Sequence, residues 1–208
     1  MATEIEKHTH CLNAIYEIAR TMDFDEKHSK QVTNFALKLF DQLYEIHHLS
    51  KEKRNYLEYA SLLHDIGWVE GWKDHNKKTL NIILKTSLLP FDAKEKLIIG
   101  SIARYHRGSY PSQNHDHYMA LESDDRNFVL KLSSILRLAD GLDSSHQNII
   151  KEVETKINSN NILLFCYCAN ITAEEKEAIL KKSDLFTHAF SQYKLKVVWE
   201  VVNTTNNE

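Results

Sequence analysis

Turn-forming residues are scarce in this chain, with five glycines and two prolines among 208 residues. That scarcity excludes flexible linkers and low-complexity organisation and leaves a compact, helix-rich chain as the expectation. Long apolar runs are missing too. The uncharged stretches fall far short of the ~20 residues that a membrane span needs, so no membrane partner is expected. Cysteine occurs three times, at Cys11, Cys166 and Cys168. An odd count, with two residues in a C-x-C pair on a strand-like stretch, argues for free thiols in a reducing compartment. The surrounding "FCYCAN" offers no further ligands for tetrahedral zinc. A net charge of −3 lacks the basic excess that draws nucleic acid or anionic lipid. The opening "MATEIEKHTH" carries charges and no apolar signal core, so the expected location is cytoplasmic.

What the chain does have is helical periodicity and twelve histidines. Apolar residues recur at helical spacing over 4–22, and again from a cap at Asp25 to about Ile46. Ser50 can cap a third helix that Gly67 stops. A fourth covers roughly 74–87, and Asp92 caps a fifth through "AKEKLIIGSIARYH". Residues 107–123 read as a loop with one turn of helix, and Asp125 opens a long helix through "RNFVLKLSSILRLADGL". After about residue 148 the pattern changes. "IIKEVETKI", "NILLFCYCA" and "KLKVVWEVV" are strand-like, and the third is preceded by a helical segment. The expected fold is mainly α: a helical bundle over 1–147, a small β-β-α-β layer over 148–203 packed on it, and a polar terminus at 204–208.

Within "YLEYASLLHDIGWVEGW" (56–72), His64 and Asp65 stand where a core helix wants more leucine. A carboxylate facing a core costs several kcal/mol unless it is paired or bound to a metal. His28 heads the row 28, 32, 35, 39, whose other members are Val, Phe and Leu, so it belongs to a buried stripe. His106 continues the row 98, 102, 106, and Asp140 the row 129, 132, 136, 140. Three histidines and two aspartates from four helices are thus aimed at one interior, with His75 a sixth. Each group alone is an ordinary buried polar residue. Together they are satisfied most economically by a divalent cation. The other histidines, at 8, 10, 47, 48, 146 and 188, have no convergent partner and are expected in solvent. "NHDH" (114–117) is placed to line an entrance, and Trp68 and Trp72 are read as packing residues.

"HSKQVTNFALKLFDQL", "LLHDIG", "IARYHRG" and "LSSILRLADGLDSS", in this order, resemble the HD superfamily of metal-dependent phosphohydrolases. More narrowly, they resemble the HD-type domain of exopolyphosphatase and guanosine pentaphosphate phosphohydrolase. The resemblance implies an HD-type bundle with metal ligands at His28, His64, Asp65 and Asp140, and with His75 and His106 on a second ion.

One divalent ion with two imidazoles and two carboxylates is formally neutral. A second, with Asp65 bridging, makes the site net positive and able to hold a phosphate oxygen. The donor set suits Mn, Fe, Co, Ni, Zn or Mg without selecting one. The expected function is phosphohydrolysis of a phosphorylated small molecule or nucleotide by metal-bound hydroxide. Asp65, His75 or His106 are the candidates for acid assistance, and Lys77, Lys78, Arg107 and Arg137 for substrate phosphate. The alternative is a regulatory module that binds a guanosine tetraphosphate-like nucleotide without turnover. A homodimer is compatible with either reading.

Overall fold

A computed structural model describes residues 3–22 and 24–201. Residues 202–208, which hold the expected polar terminus and the end of the last strand-like stretch, lie outside them.

The helices form close to where the periodicity places them, and several of their starts are fixed by side chains. Thr3 caps α1 (Glu4–Thr21) in a reciprocal box with Glu6, and Asp25 caps α2 (Glu26–Gln42) by accepting from the His28 amide. α2 ends at Leu43 and one further turn, α3 (Tyr44–His47), follows before His48 enters the left-handed region at φ 52°. His47 is a correction to the solvent assignment. It is buried, its Nε2 donates to the Phe40 carbonyl at 2.7 Å, and its Nδ1 accepts from the Leu49 amide at 2.9 Å. The histidine closes this turn by satisfying backbone groups that the helix end leaves free.

α4 (Lys51–Leu63) stops four residues before Gly67, and a 3-10 turn, Ile66–Glu70, carries the chain on. Gly67 is therefore not the helix stop expected of it. Its role is close approach: a Cβ there would lie 2.1 Å from the His75 carbonyl oxygen and 2.6 Å from the Thr79 amide. α5 (His75–Lys85), α6 (Ala93–Arg104) and the single turn α7 (Asp116–Met119) follow, then α8 (Ser123–Gly141). Asp92 caps α6 in a second reciprocal box, with Glu95.

α2, α4, α6 and α8 pack on one another around a core that includes Val32, Phe35, Leu57, Leu63, Ile99 and Leu136. α1 lies on α4, and α5 on α6.

The tail runs β1 (Ile150–Asn158), β2 (Asn161–Cys168), α9 (Ala173–Lys182), α10 (Asp184–Ala189) and β3 (Lys194–Val201). Among the described residues the sheet order is β1-β2-β3. β1 and β2 form an antiparallel hairpin with Asn158 opposite Asn161. β3 returns parallel to β2, a geometry that needs the intervening helical crossover. Strand period explains the C-x-C pair: Ile162, Leu164, Cys166 and Cys168 all face the core. The three cysteines are free and buried. β1 packs on α2, and α9 and α10 pack on α8, so the layer covers the end of the bundle that carries Asp140. No helix among the described residues is long and apolar enough to cross a membrane.

Candidate metal centre

Six of the predicted residues meet in one interior. His28 comes from the first turn of α2, and His64 and Asp65 from the break after α4. His75 opens α5, His106 follows α6, and Asp140 lies near the end of α8. Among the described residues two ligand-like groups lie within 4.8 Å: His28–His64–Asp65 and Asp65–His75–His106, with Asp65 common to both. Asp140 joins the first group, its Oδ1 3.5 Å from His28 Nε2.

Each imidazole is held by its Nδ1 on an oxygen that can only accept, so each Nδ1 carries a proton. His28 donates to Asp143 Oδ2 at 2.9 Å, His64 to the Ser61 carbonyl at 2.7 Å, and His106 to the Ala103 carbonyl at 2.7 Å. His75 donates to the Trp72 carbonyl at 3.0 Å, a closer neighbour than the Arg107 guanidinium at 3.3 Å. The Nε2 atoms all point inward. His75 Nε2 lies 3.1 Å from His106 Nε2 and 3.0 Å from Asp65 Oδ1. His28 Nε2, His64 Nε2 and Asp65 Oδ1 are buried without an aligned hydrogen-bond partner. Two lone pairs facing each other at 3.1 Å repel, and orphaned buried polar atoms are costly. A cation between them turns both costs into ligation. Imidazoles held at one nitrogen by an oxygen while the other stays bare are the usual arrangement for metal-binding histidine.

Burial and charge set the protonation. Burial pushes the Asp65 carboxyl up, and the positive charge that the facing His64, His75 and His106 rings take up in acid holds it below the usual carboxylate range. Asp140 follows the same balance, with Lys182 the largest stabilising charge. Burial lowers His64, and lowers His106 to about 3, keeping both neutral. His28 goes the other way. Burial lowers it, yet Asp140, Asp143 and Asp65 together push it up to about 9, so without an ion its Nε2 holds a proton that ligation would displace.

The predicted substrate residues are distributed unevenly. Arg107 sits against His75 and is partly exposed. Arg137 is buried, donating from Nη1 to the Gly108 carbonyl at 2.8 Å and from Nη2 to Asp184 at 2.7 Å. It braces the loop after His106 against the tail. Lys77 pairs with Asp74, and Lys78 bonds the carbonyls of Glu70 and Gly71. Neither lysine is brought to the convergent nitrogens. "NHDH" packs on Tyr105, whose hydroxyl meets His115 Nδ1 at 2.8 Å. Trp68 stacks on the His75 ring at 5.1 Å while remaining half exposed, and Trp72 is more exposed still. Packing thus describes Trp68 in part and Trp72 hardly at all.

Three residues at the centre were missed. Asp143 holds His28, and Lys182 of α9 contacts Asp140. His146 is exposed as expected, yet it stacks on His28 at 3.7 Å and pairs with Asp25 at 3.0 Å. Asp143 had a signal, lying three residues beyond Asp140. Lys182 and His146 had none.

A helical body thus brings imidazoles and carboxylates together in two groups that could hold a metal ion. Residues 12–189 match the family model Ppx/GppA phosphatase, domain III, and the chain belongs to that family. No curated protein matches it at a significant level.

Proposed function

We propose that this chain is a divalent-metal-dependent phosphohydrolase of the HD type, acting on a phosphorylated small molecule or nucleotide. The observation that carries this reading is the set of four Nδ1-anchored imidazoles whose inward-facing Nε2 atoms converge on Asp65 and Asp140. Membership of a phosphatase family supports the reaction class.

His28, His64, Asp65 and Asp140 would hold one ion, and Asp65, His75 and His106 a second. When bound, such ions withdraw charge from a phosphoryl group and bring the pKa of water towards neutrality. The chain's own residues do the rest. Asp143 and the carbonyls of Ser61, Trp72 and Ala103 keep the imidazoles in one tautomer and orientation. Burial keeps bulk water from the nitrogens and strengthens every charge interaction there. Arg107, beside His75, and Lys182, at Asp140, supply positive charge for an anionic substrate. Asp65 is placed to share one ion with both neighbouring imidazoles, with His75 Nε2 3.0 Å and His106 Nε2 3.4 Å from its Oδ1.

The test is phosphate release by chelator-treated protein reloaded separately with Mn²⁺, Co²⁺, Ni²⁺ and Zn²⁺. A panel of nucleotides, phosphomonoesters and tripolyphosphate supplies the substrates. At least one loaded form turns over, and Asp65→Ala loses more than ~100-fold activity together with its metal. Loaded protein that releases no phosphate from any substrate contradicts the reading. Nucleotide binding without turnover would favour the regulatory module.

A further inference from the structure

An open cleft of about 590 Å³ lies on the Nδ1 side of His28, walled by Asp143 and His146 and by none of the other five ligand side chains. Its size falls within the ~300–1,000 Å³ of small-molecule sites. Its lining residues are all polar or charged, although their aliphatic stems present more of the surface than their polar atoms do. Lys27, Lys30 and Lys151 line it, with Lys30 paired to Glu26 at 2.6 Å and Lys151 bonded to the Asn148 carbonyl at 2.5 Å, and Asp143 is the one carboxylate among the described lining residues. Both oxygens of Asp143 are already used, one by His28 Nδ1 at 2.9 Å and the other by the Asn148 amide at 2.8 Å. The net charge left for an occupant is positive.

Gln31, Asn34, Gln147 and Asn148 add carboxamides, which read hydroxyl groups as both donor and acceptor. Asn34 and Gln147 make no side-chain hydrogen bond to any other described residue, so their capacity is free. Lys27 and Lys151 select an anion, amides select hydroxyls, and no apolar side chain is among the described lining residues to favour a lipid.

The cleft is also wired to the centre. The wall segment holds two residues in the left-handed region, His146 at φ 57° and Asn148 at φ 51°. Asn148 grips Asp143 through its amide, Asp143 grips His28, and the His146 ring lies flat on His28 at 3.7 Å with 8° between planes. Whatever orders residues 146–148 fixes the orientation of His28.

We propose that this cleft binds a small phosphorylated sugar, free or as the ribose phosphate of a nucleotide, and that its occupant tunes ion affinity at the centre through Asp143 and His28. The coupling rests on His28 being an ion ligand, whereas the binding does not.

Calorimetry on the whole chain tests both parts. Chelator-treated protein should bind ribose 5-phosphate at least about tenfold more tightly than inorganic phosphate. AMP binding more tightly than ribose 5-phosphate would point to a nucleotide as the source, and equal affinity to a free sugar phosphate. Saturating ribose 5-phosphate should shift Mn²⁺ affinity by about fivefold or more, and Mn²⁺ should shift ribose 5-phosphate affinity by the same factor. A variant carrying Lys27→Met and Asn34→Leu should lose ribose 5-phosphate binding by at least tenfold while its Mn²⁺ affinity, measured alone, stays within about twofold. No binding of ribose 5-phosphate, binding no tighter than that of phosphate, or equal binding by the variant overturns the cleft. An unmoved Mn²⁺ affinity overturns the coupling. Failure of the wild type to bind Mn²⁺ at all overturns the metal reading and the coupling, and leaves the sugar-phosphate measurement to decide the cleft.

Discussion

His28 carries more of the centre than any other single side chain, because it belongs both to the ligand set and to the Asp143 link. Its pKa of about 9 lies above the unfolded value near 6.5, so in chelator-treated protein its stabilisation is complete below pH 6.5 and fades as pH rises through about 9. His106 acts in the opposite sense. Its pKa of about 3 means that the unfolded chain takes up a proton on acidification while the folded chain does not, so stability falls from pH 6.5 downward. The melting temperature of chelator-treated protein should therefore peak near pH 6.5 and fall on both sides. A melting temperature that rises steadily from pH 6.5 to 9 would contradict the environment assigned to His28. Asp143→Asn should remove part of the alkaline fall and weaken ion affinity about 10- to 100-fold, the usual cost of losing a carboxylate that orients a ligand; calorimetric titration with Mn²⁺ checks it.

At the scale of the element, the centre depends on how the break after α4 is clamped to α5. Thr79 receives the Gly67 amide at 3.0 Å and donates to the His64 carbonyl at 2.9 Å, while Gly67 lets the backbones touch. Gly67→Ala places a methyl against two backbone atoms that cannot swing away. It should cost about 3 kcal/mol or more and displace His75. Denaturant unfolding gives the first quantity, and ion stoichiometry falling towards one before the other ligands are lost gives the second.

These element-level features also show what the sequence could tell. The rows through His28, His106 and Asp140 were legible because helical period alone decides which face a residue takes. The starts of α2 and α6 were legible because Asp25 and Asp92 are capping residues in place, whereas α8 opens at Ser123, two residues before the Asp125 expected to open it. Asp143, His146 and Lys182 were not. The Asp143–His28 bond spans 115 positions, and Lys182 reaches the site only because α9 crosses α8. Local pattern contains neither fact. The 3-10 turn was missed for a related reason: Gly67 reads as a stop locally, and its use as a point of close approach depends on α5.

Across the whole molecule, the α+β layer is tied to the helical body by polar as well as apolar contacts. Arg137 joins Asp184, Ser145 joins Glu175, Lys182 joins Asp140, and Ile179, Phe186 and Phe190 are buried. Body and layer should therefore unfold in a single calorimetric transition, and two separated transitions would show them to be independent. Lys182→Met should leave that transition single while reducing turnover of anionic substrates about tenfold, through loss of the charge beside Asp140. The central claim, that α2, α5, α6, α8 and the break after α4 converge because a divalent ion belongs among them, is tested most directly by anomalous diffraction from crystals grown with Mn²⁺ or Zn²⁺. The account predicts one anomalous peak about 2.0–2.3 Å from the Nε2 atoms of His28 and His64 with Asp65 and Asp140 beside it, and a second shared by Asp65, His75 and His106. Peaks only at surface carboxylates, with His75 and His106 still facing each other across no ion, would contradict it.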